Sequence, residues 1–138
     1  MELLQFVYQN TKMGEDNLRS LLPSVEDTDL KSHLHRQMTG YSKFNNQAEE
    51  EICKRSGQPK ENSAMSKFAS RMGVKMNAMK DHSASHIADM MIQGSTMGIV
   101  DMTEHLNRCK DVDASAKRLA NDVVHFEQNN IDRLKSYL

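Results

Sequence analysis

The sequence predicts an all-α protein, a four-helix bundle built from two helical hairpins. Apolar residues recur with a helical period along most of the 138 residues. Two prolines and six glycines leave few turns, so the helices must be long, and β-sandwiches and barrels are nearly excluded. We expect one domain spanning 1–138, with more than two-thirds of its residues in helices.

The first two predicted helices are separated by a proline turn. The apolar series that begins at Leu3 keeps its helical spacing until Leu22-Pro23, because proline cannot continue the backbone hydrogen-bond ladder. Asp27 is predicted to cap the second helix, which runs to Gly57, where glycine supplies a left-handed stop. The inward series of this helix is Leu30, Leu34, Met38, Tyr41, Asn45, Ala48 and Ile52.

The stretch between the hairpins, from Gly57 to Ala84, is longer than a tight turn requires. It contains a narrow apolar stripe, which predicts a short fifth helix beginning near Asn62. The stripe consists of Met65, Phe68, Met72, Met76 and Met79. A helix of about 19 residues rises ~28 Å and would carry the chain back along the bundle. The third long helix can therefore run parallel to the second.

The second hairpin contains the third and fourth long helices. Its first helix is predicted to run from Ile87 to about Lys110. Its second helix opens at Asp113 and continues to Leu138.

Charge and cysteine content exclude several classes of protein. The chain has 18 Lys and Arg against 19 Asp and Glu, so no basic excess favours a nucleic acid or an anionic membrane as partner. The N-terminus lacks the basic and apolar regions of a secretory signal. Cys53 and Cys109 are too few for a disulfide framework. We therefore predict a cytoplasmic protein with free thiols and with neither nucleic acid nor membrane as partner.

An internal repeat supports the two-hairpin arrangement. Gln9 to Leu18 aligns with Gln93 to Met102, and an acidic turn and a second helix follow each block. With Glu127-Gln128-Asn129-Asn130, which is similar to a Glu-x-x-His motif, these segments resemble the ferritin-like superfamily, particularly its small bacterial members. The resemblance covers the whole chain and implies a ferritin-like bundle with one long crossover.

The resemblance also implies a set of metal ligands that helical phase can test. Such bundles place an inward Glu on the first and third helices and an inward Glu-x-x-His on the second and fourth, around two metals. At roughly 100° per residue, phase places six residues there: Thr11, Tyr41, Phe44, Ser95, Glu127 and Asn130. Two cations need several anionic ligands, and Glu127 is the one carboxylate in this set. We therefore predict no di-metal centre and no cofactor.

An alternative depends on the rotation of the first helix. A turn of about one residue would bring Glu15 inward in place of Thr11, and Glu15 with Glu127 could then hold a single ion. In the favoured interpretation, the neighbouring hydroxyls and amides satisfy Glu127 or hold a water, as a structural polar network.

Two glycines predict close packing near these positions. Gly14 and Gly98 occupy matching inward sites within helices, where glycine costs about 0.5–1 kcal/mol relative to alanine. Close approach of two helices, or of a bulky residue such as Tyr41 or Phe44, would explain both.

Three functions are compatible with these features. We favour a non-catalytic bundle that forms a homodimer or binds another protein, because no set of acid, base and nucleophile occurs. The resemblance alone implies the second function, a metal-using oxidase or storage protein with a reduced site around Glu127 and Glu15. The third is a binder of a small apolar molecule, suggested by the glycines and the methionine-rich lining.

Overall fold

The computed structural model describes residues 1–61, 79–110 and 113–138, which form four long helices. These are α1 (Glu2–Leu21), α2 (Thr28–Lys54), α3 (Ala84–Arg108) and α4 (Ala114–Leu134). Helix accounts for 83% of the described residues, and they contain no strand, so the all-α prediction is confirmed. None of the four helices combines the length and apolarity that a membrane crossing requires.

Polar caps start three of the helices. The carboxylate of Asp27 accepts the amide N–H of Leu30 at 2.8 Å, and that of Asp113 accepts the N–H of Ala116 at 2.9 Å. Ser83 has the same role at the start of α3. The two aspartates were the predicted starts of their helices, and each satisfies an N–H group that has no partner within its helix.

The predicted stop of α2 at Gly57 is wrong in its position and in its cause. The helix ends at Lys54, and the residue with a left-handed backbone is Ser56, with φ of 58°. The N–H of Gly57 then donates to the carbonyl of Ile52 at 3.0 Å, which closes the last turn. A Cβ at position 57 would lie 2.8 Å from Cε of Met1, the end of a flexible and exposed side chain that can move aside, so this contact does not require a glycine.

The ends of the other elements are close to the predictions. After α1, Leu22–Ser24 form a 3-10 turn around Pro23, as the proline stop requires. The last helix ends at Leu134 rather than Leu138 and continues into a 3-10 turn, Lys135–Tyr137. The predicted fifth helix from Asn62 lies outside the described residues, except at Met79, which is not helical.

Contacts between side chains give the directions of the helices. On α1, the ring of Phe6 stacks on His105 of α3 with centroids 3.6 Å apart, and Asn10 contacts the carbonyl of Gly98. The later residue of α1 therefore contacts the earlier residue of α3, so these two helices are antiparallel.

The second and fourth helices are antiparallel for the same reason. The ring centroid of Tyr41 lies 4.9 Å from that of Phe126, and Arg55 at the end of α2 pairs with Asp113 at the start of α4. Asn45 contacts Tyr8 and Tyr41 packs on Gly14, so α1 is also antiparallel to α2. Consequently α2 and α3 run in the same direction. This is the arrangement predicted for two hairpins joined by one long crossover.

The core consists of two apolar clusters. One lies near the turn between α1 and α2 and includes Leu18, Leu21, Leu30, Leu34, Ile87 and Met91. The other lies at the opposite end of the bundle and includes Leu3, Val7, Ala48, Ile52, Met102 and Val123. Buried polar side chains lie between the two clusters, and we call them the polar layer. They are Asn10, Thr11, Tyr41, Asn45, Ser95, Glu127 and Asn130.

Candidate functional site

The polar layer contains five of the six residues that helical phase placed at ligand positions. Each of the five is buried, and all four helices contribute at least one of them. The five are Thr11, Tyr41, Ser95, Glu127 and Asn130. The middle of the bundle is therefore polar, as the structural-network interpretation requires.

Glu127 is the ionisable group at the centre of this layer. Its side chain is 2% exposed, and the hydroxyl of Tyr41 donates to its Oε1 at 3.4 Å. Burial raises the pKa of Glu127 to about 8, since the bond from Tyr41 lowers it only in part and the charge of Asp101 raises it further. At neutral pH the carboxyl group is therefore mostly protonated and uncharged, which avoids the cost of a buried charge.

Tyr41 joins the members of the layer. Its hydroxyl lies among the side chains of Ser95, Glu127 and Asn130. Burial raises the pKa of Tyr41 well above its usual 10, and the charge of Glu127 raises it further. The phenol therefore stays protonated and acts as a hydrogen-bond donor.

Thr11 faces the interior but does not hold Glu127. Its hydroxyl donates to the carbonyl of Val7 at 2.7 Å, within its own helix. The amide of Asn45 donates to the carbonyl of Tyr8 at 2.9 Å and to Thr11 Oγ1 at 3.2 Å. This pair therefore joins α1 to α2 within the polar layer.

The structure places Phe44 differently from the phase prediction. Phe44 is half-buried beside a groove between α2 and α4, with its ring centroid 5.3 Å from that of Phe126. The next residue, Asn45, occupies the buried position instead. Gly40 explains the shift, because the ring of Phe126 fills the space where a Cβ would lie and gives Phe44 an apolar surface to cover.

Glu15, the residue of the alternative site, pairs with another residue of its own helix. Its side chain is 13% exposed, and its carboxylate accepts from the guanidinium of Arg19 at 2.8 Å, one turn along α1. Thr11 has the inward orientation that the unrotated helix predicts.

A small cavity lies beside Glu127, between α1 and α3. Its volume is about 30 Å³, which is enough for about two water molecules. Pockets for organic ligands measure about 300–1,000 Å³, so the cavity does not suit the small apolar molecule of the third hypothesis. Among its lining residues are Asn10, Gly14, Tyr41, Ser95, Gly98 and Glu127.

The two inward glycines make room for the large side chains of the layer. A Cβ at Gly14 would lie 2.6 Å from Cε1 of Tyr41, as the sequence predicted. A Cβ at Gly98 would lie 2.6 Å from Oε2 of Glu127, so the residue packed against this glycine is the glutamate rather than an aromatic.

Residues outside the predicted set also contribute buried polar groups. Asn10 and Asn45 belong to the layer, and His33 contacts Gln37 at 2.9 Å within the cluster around Leu34. Burial, followed by the charges of Arg133 and Arg36, lowers the pKa of His33. The sequence indicated the burial of these two side chains. His33 and Gln37 are one helical turn apart, and the inward residue Leu34 lies between them in the sequence.

The residues of the layer do not fit the two-metal centre that the ferritin-like resemblance implies. Bridged metals need several carboxylates or imidazoles, and here Glu127 stands among hydroxyl and amide groups. In the described part of the chain, no three His, Cys, Asp or Glu side chains group closely enough to hold a metal together.

No family model, curated protein or solved structure matches this chain.

Proposed function

We propose that this protein is a non-catalytic, ferritin-like helical bundle that forms a homodimer and acts as a scaffold. In this proposal a neutral polar layer stands where relatives of this fold would hold two metals. The exposed thiol of Cys53 and the free thiol of Cys109 suit a reducing compartment such as the cytoplasm.

The directions of the helices support the ferritin-like part of the proposal. Two antiparallel hairpins whose adjoining helices α2 and α3 run in the same direction require one long crossover. A bundle with only short loops would alternate direction at every helix.

The chemistry of the polar layer supports the non-catalytic part. Glu127 is uncharged near neutral pH, Tyr41 is held as a phenol, and the hydroxyl of Thr11 is bonded within its own helix. No nucleophile next to a base occurs among these residues, so the arrangement does not form an acid–base pair or an activated nucleophile.

One observation carries the self-association, an uncharged exposed face on α3. No charged residue or histidine occurs from position 90 to position 100. The exposed side chains of this stretch are Gln93, Thr96, Met97 and Val100, and Met97 and Val100 are 46% and 50% exposed. In the described ranges, the other large exposed hydrophobic residues are the terminal Met1 and Leu138.

A surface of this kind suits contact with a second copy of the chain. In a two-fold dimer each residue faces the same patch on its partner, so like charges on the patch would repel each other. Between positions 90 and 100 the α3 face has no such charge, and the exposed carboxylates of Asp89 and Glu104 lie beyond its two ends. Pairing this stretch would bury Met97 and Val100.

The experiment is light scattering on the intact protein after size-exclusion chromatography. We expect about twice the monomer mass of 15.7 kDa, and Val100→Glu should return the monomer, because a carboxylate would face its own copy. Asn46→Glu, which adds the same charge on the exposed face of α2, should remain dimeric. A wild-type mass of 15.7 kDa at high micromolar concentration would refute the dimer.

A further inference from the structure

Two buried oxygen atoms at the cavity beside Glu127 have no hydrogen-bond partner. One is Oε2 of Glu127, which is 2% exposed, and the other is Oδ1 of Asn10, which is 1% exposed. Both side chains line the cavity and both contact Gly98. Asn10 donates to the carbonyl of this glycine at 3.4 Å, and Oε2 lies 2.6 Å from the position its Cβ would take.

From this convergence we propose that the cavity is a binding site for one small monovalent cation, of the size of K⁺, Na⁺ or ammonium. The site would use Oε2 of Glu127 and Oδ1 of Asn10 as its principal ligands. The proposal goes beyond the scaffold function and does not depend on the dimer.

Charge distinguishes a cation from a water molecule as the occupant. No Lys, Arg or His occurs among the described residues that line the cavity, and Glu127 is its one carboxyl group. At neutral pH the proton of Glu127 keeps this carboxyl uncharged, but once that proton is lost a water would leave the carboxylate without an opposite charge. A monovalent cation that binds in place of this proton satisfies both acceptors and balances the carboxylate, so it binds more tightly as the pH rises.

The donor set and the volume favour a monovalent ion. One carboxylate with amide and hydroxyl oxygens supplies a single negative charge, whereas dedicated divalent sites use several anionic ligands. The hydroxyls of Tyr41 and Ser95 line the same space. A volume of about 30 Å³ accommodates an ion of this size and one water.

The cavity is also accessible. Its rim consists of Met13, Asn17 and Gly94, which are half-buried at the contact between α1 and α3. A small ion can therefore enter between these helices without opening either apolar cluster.

The test compares the melting temperature of the intact protein at about pH 8.5, where Glu127 is largely ionised, in chloride salts of K⁺, Na⁺, ammonium and choline, each at about 0.15 M. We expect at least one small cation to raise the melting temperature relative to choline, by on the order of 4 °C. Glu127→Gln should abolish this difference, and Glu104→Gln, which removes an exposed carboxylate from α3, should preserve it. Equal melting temperatures in all four salts would overturn the proposal.

A second variant and a direct probe keep the test decisive if Glu127→Gln does not fold. Asn10→Leu removes the other principal ligand and should also abolish the cation effect. Crystals soaked in Tl⁺ should show an anomalous peak in contact with Glu127 Oε2 and Asn10 Oδ1. No peak there, or binding of Mn²⁺ but not Tl⁺, would refute a monovalent site.

Discussion

Among single residues, Glu127 has the largest effect on the electrostatics of the bundle interior. Desolvation favours its neutral form, so the folded protein holds a proton at a pH where an exposed glutamate would have lost it. The hydroxyl of Tyr41 partly opposes this effect by donating to Oε1. Glu127 therefore links the stability of the fold to pH.

The first prediction concerns this pH dependence. The pKa of Glu127 is about 8 when folded and near its ordinary 4.5 when unfolded, so the folded state binds more protons between these values. Its contribution to stability is complete below about pH 4.5 and is lost as the pH rises towards 8. The free energy of unfolding should fall by up to about 1.4 kcal/mol per pH unit over this range.

Glu127→Gln should lack this component, because the amide does not titrate. The measurement is urea unfolding between pH 5 and pH 8 in choline chloride, with Glu104→Gln as the control that retains the wild-type slope. Parallel pH profiles for wild type and Glu127→Gln would show that the carboxyl is not held in its neutral form.

At the residue scale, helical phase predicted most of the polar layer. Thr11 and Ser95 follow buried apolar residues at regular helical spacing, so their burial could be read from the sequence. Asn45 already belonged to the predicted inward series of α2, but the half-buried position of Phe44 could not be predicted, because it depends on the ring of Phe126 packing over Gly40 from another helix. Asn10 was missed because an asparagine in a helix is usually exposed.

At the scale of elements, local chemistry made the helix starts predictable and one helix end unpredictable. Asp27 and Asp113 cap their helices through residues three positions along the chain. The end of α2 depends on Ser56 in a left-handed conformation, which serine rarely adopts. Gly57, the residue from which the sequence predicts a left-handed stop, does not adopt that conformation.

Asp113 allows a prediction at this scale because it has two roles. It caps α4 and accepts from Arg55 at 2.7 Å, which joins the end of α2 to the start of α4. Asp113→Asn and Arg55→Met should each lose the ion pair but keep the cap, with little change in melting temperature. Asp113→Ala should have the lowest melting temperature of the three variants, since it loses both the ion pair and the cap. Calorimetry is the measurement, and equal melting temperatures for Asp113→Ala and Asp113→Asn would contradict the capping role.

At the scale of the whole molecule, the polar layer divides one bundle into two apolar clusters. Periodicity predicted the helices, and the long stretch between the hairpins predicted that α2 and α3 run in the same direction. The separation of the two apolar clusters could also be predicted, because the sequence has polar residues at inward positions on all four helices. The exposed face of α3 could not be predicted from periodicity, because Met97 and Val100 are as apolar as the core residues beside them.

The central claim is that this layer is not a two-metal centre, and diffraction from crystals grown with excess Fe²⁺ or Mn²⁺ tests it most directly. The account predicts no pair of anomalous peaks about 3.5–4 Å apart among Tyr41, Ser95, Glu127 and Asn130, since one carboxyl group cannot balance two divalent ions. Two bridged ions at good occupancy among these residues would contradict the account and favour a metal-using oxidase or storage protein.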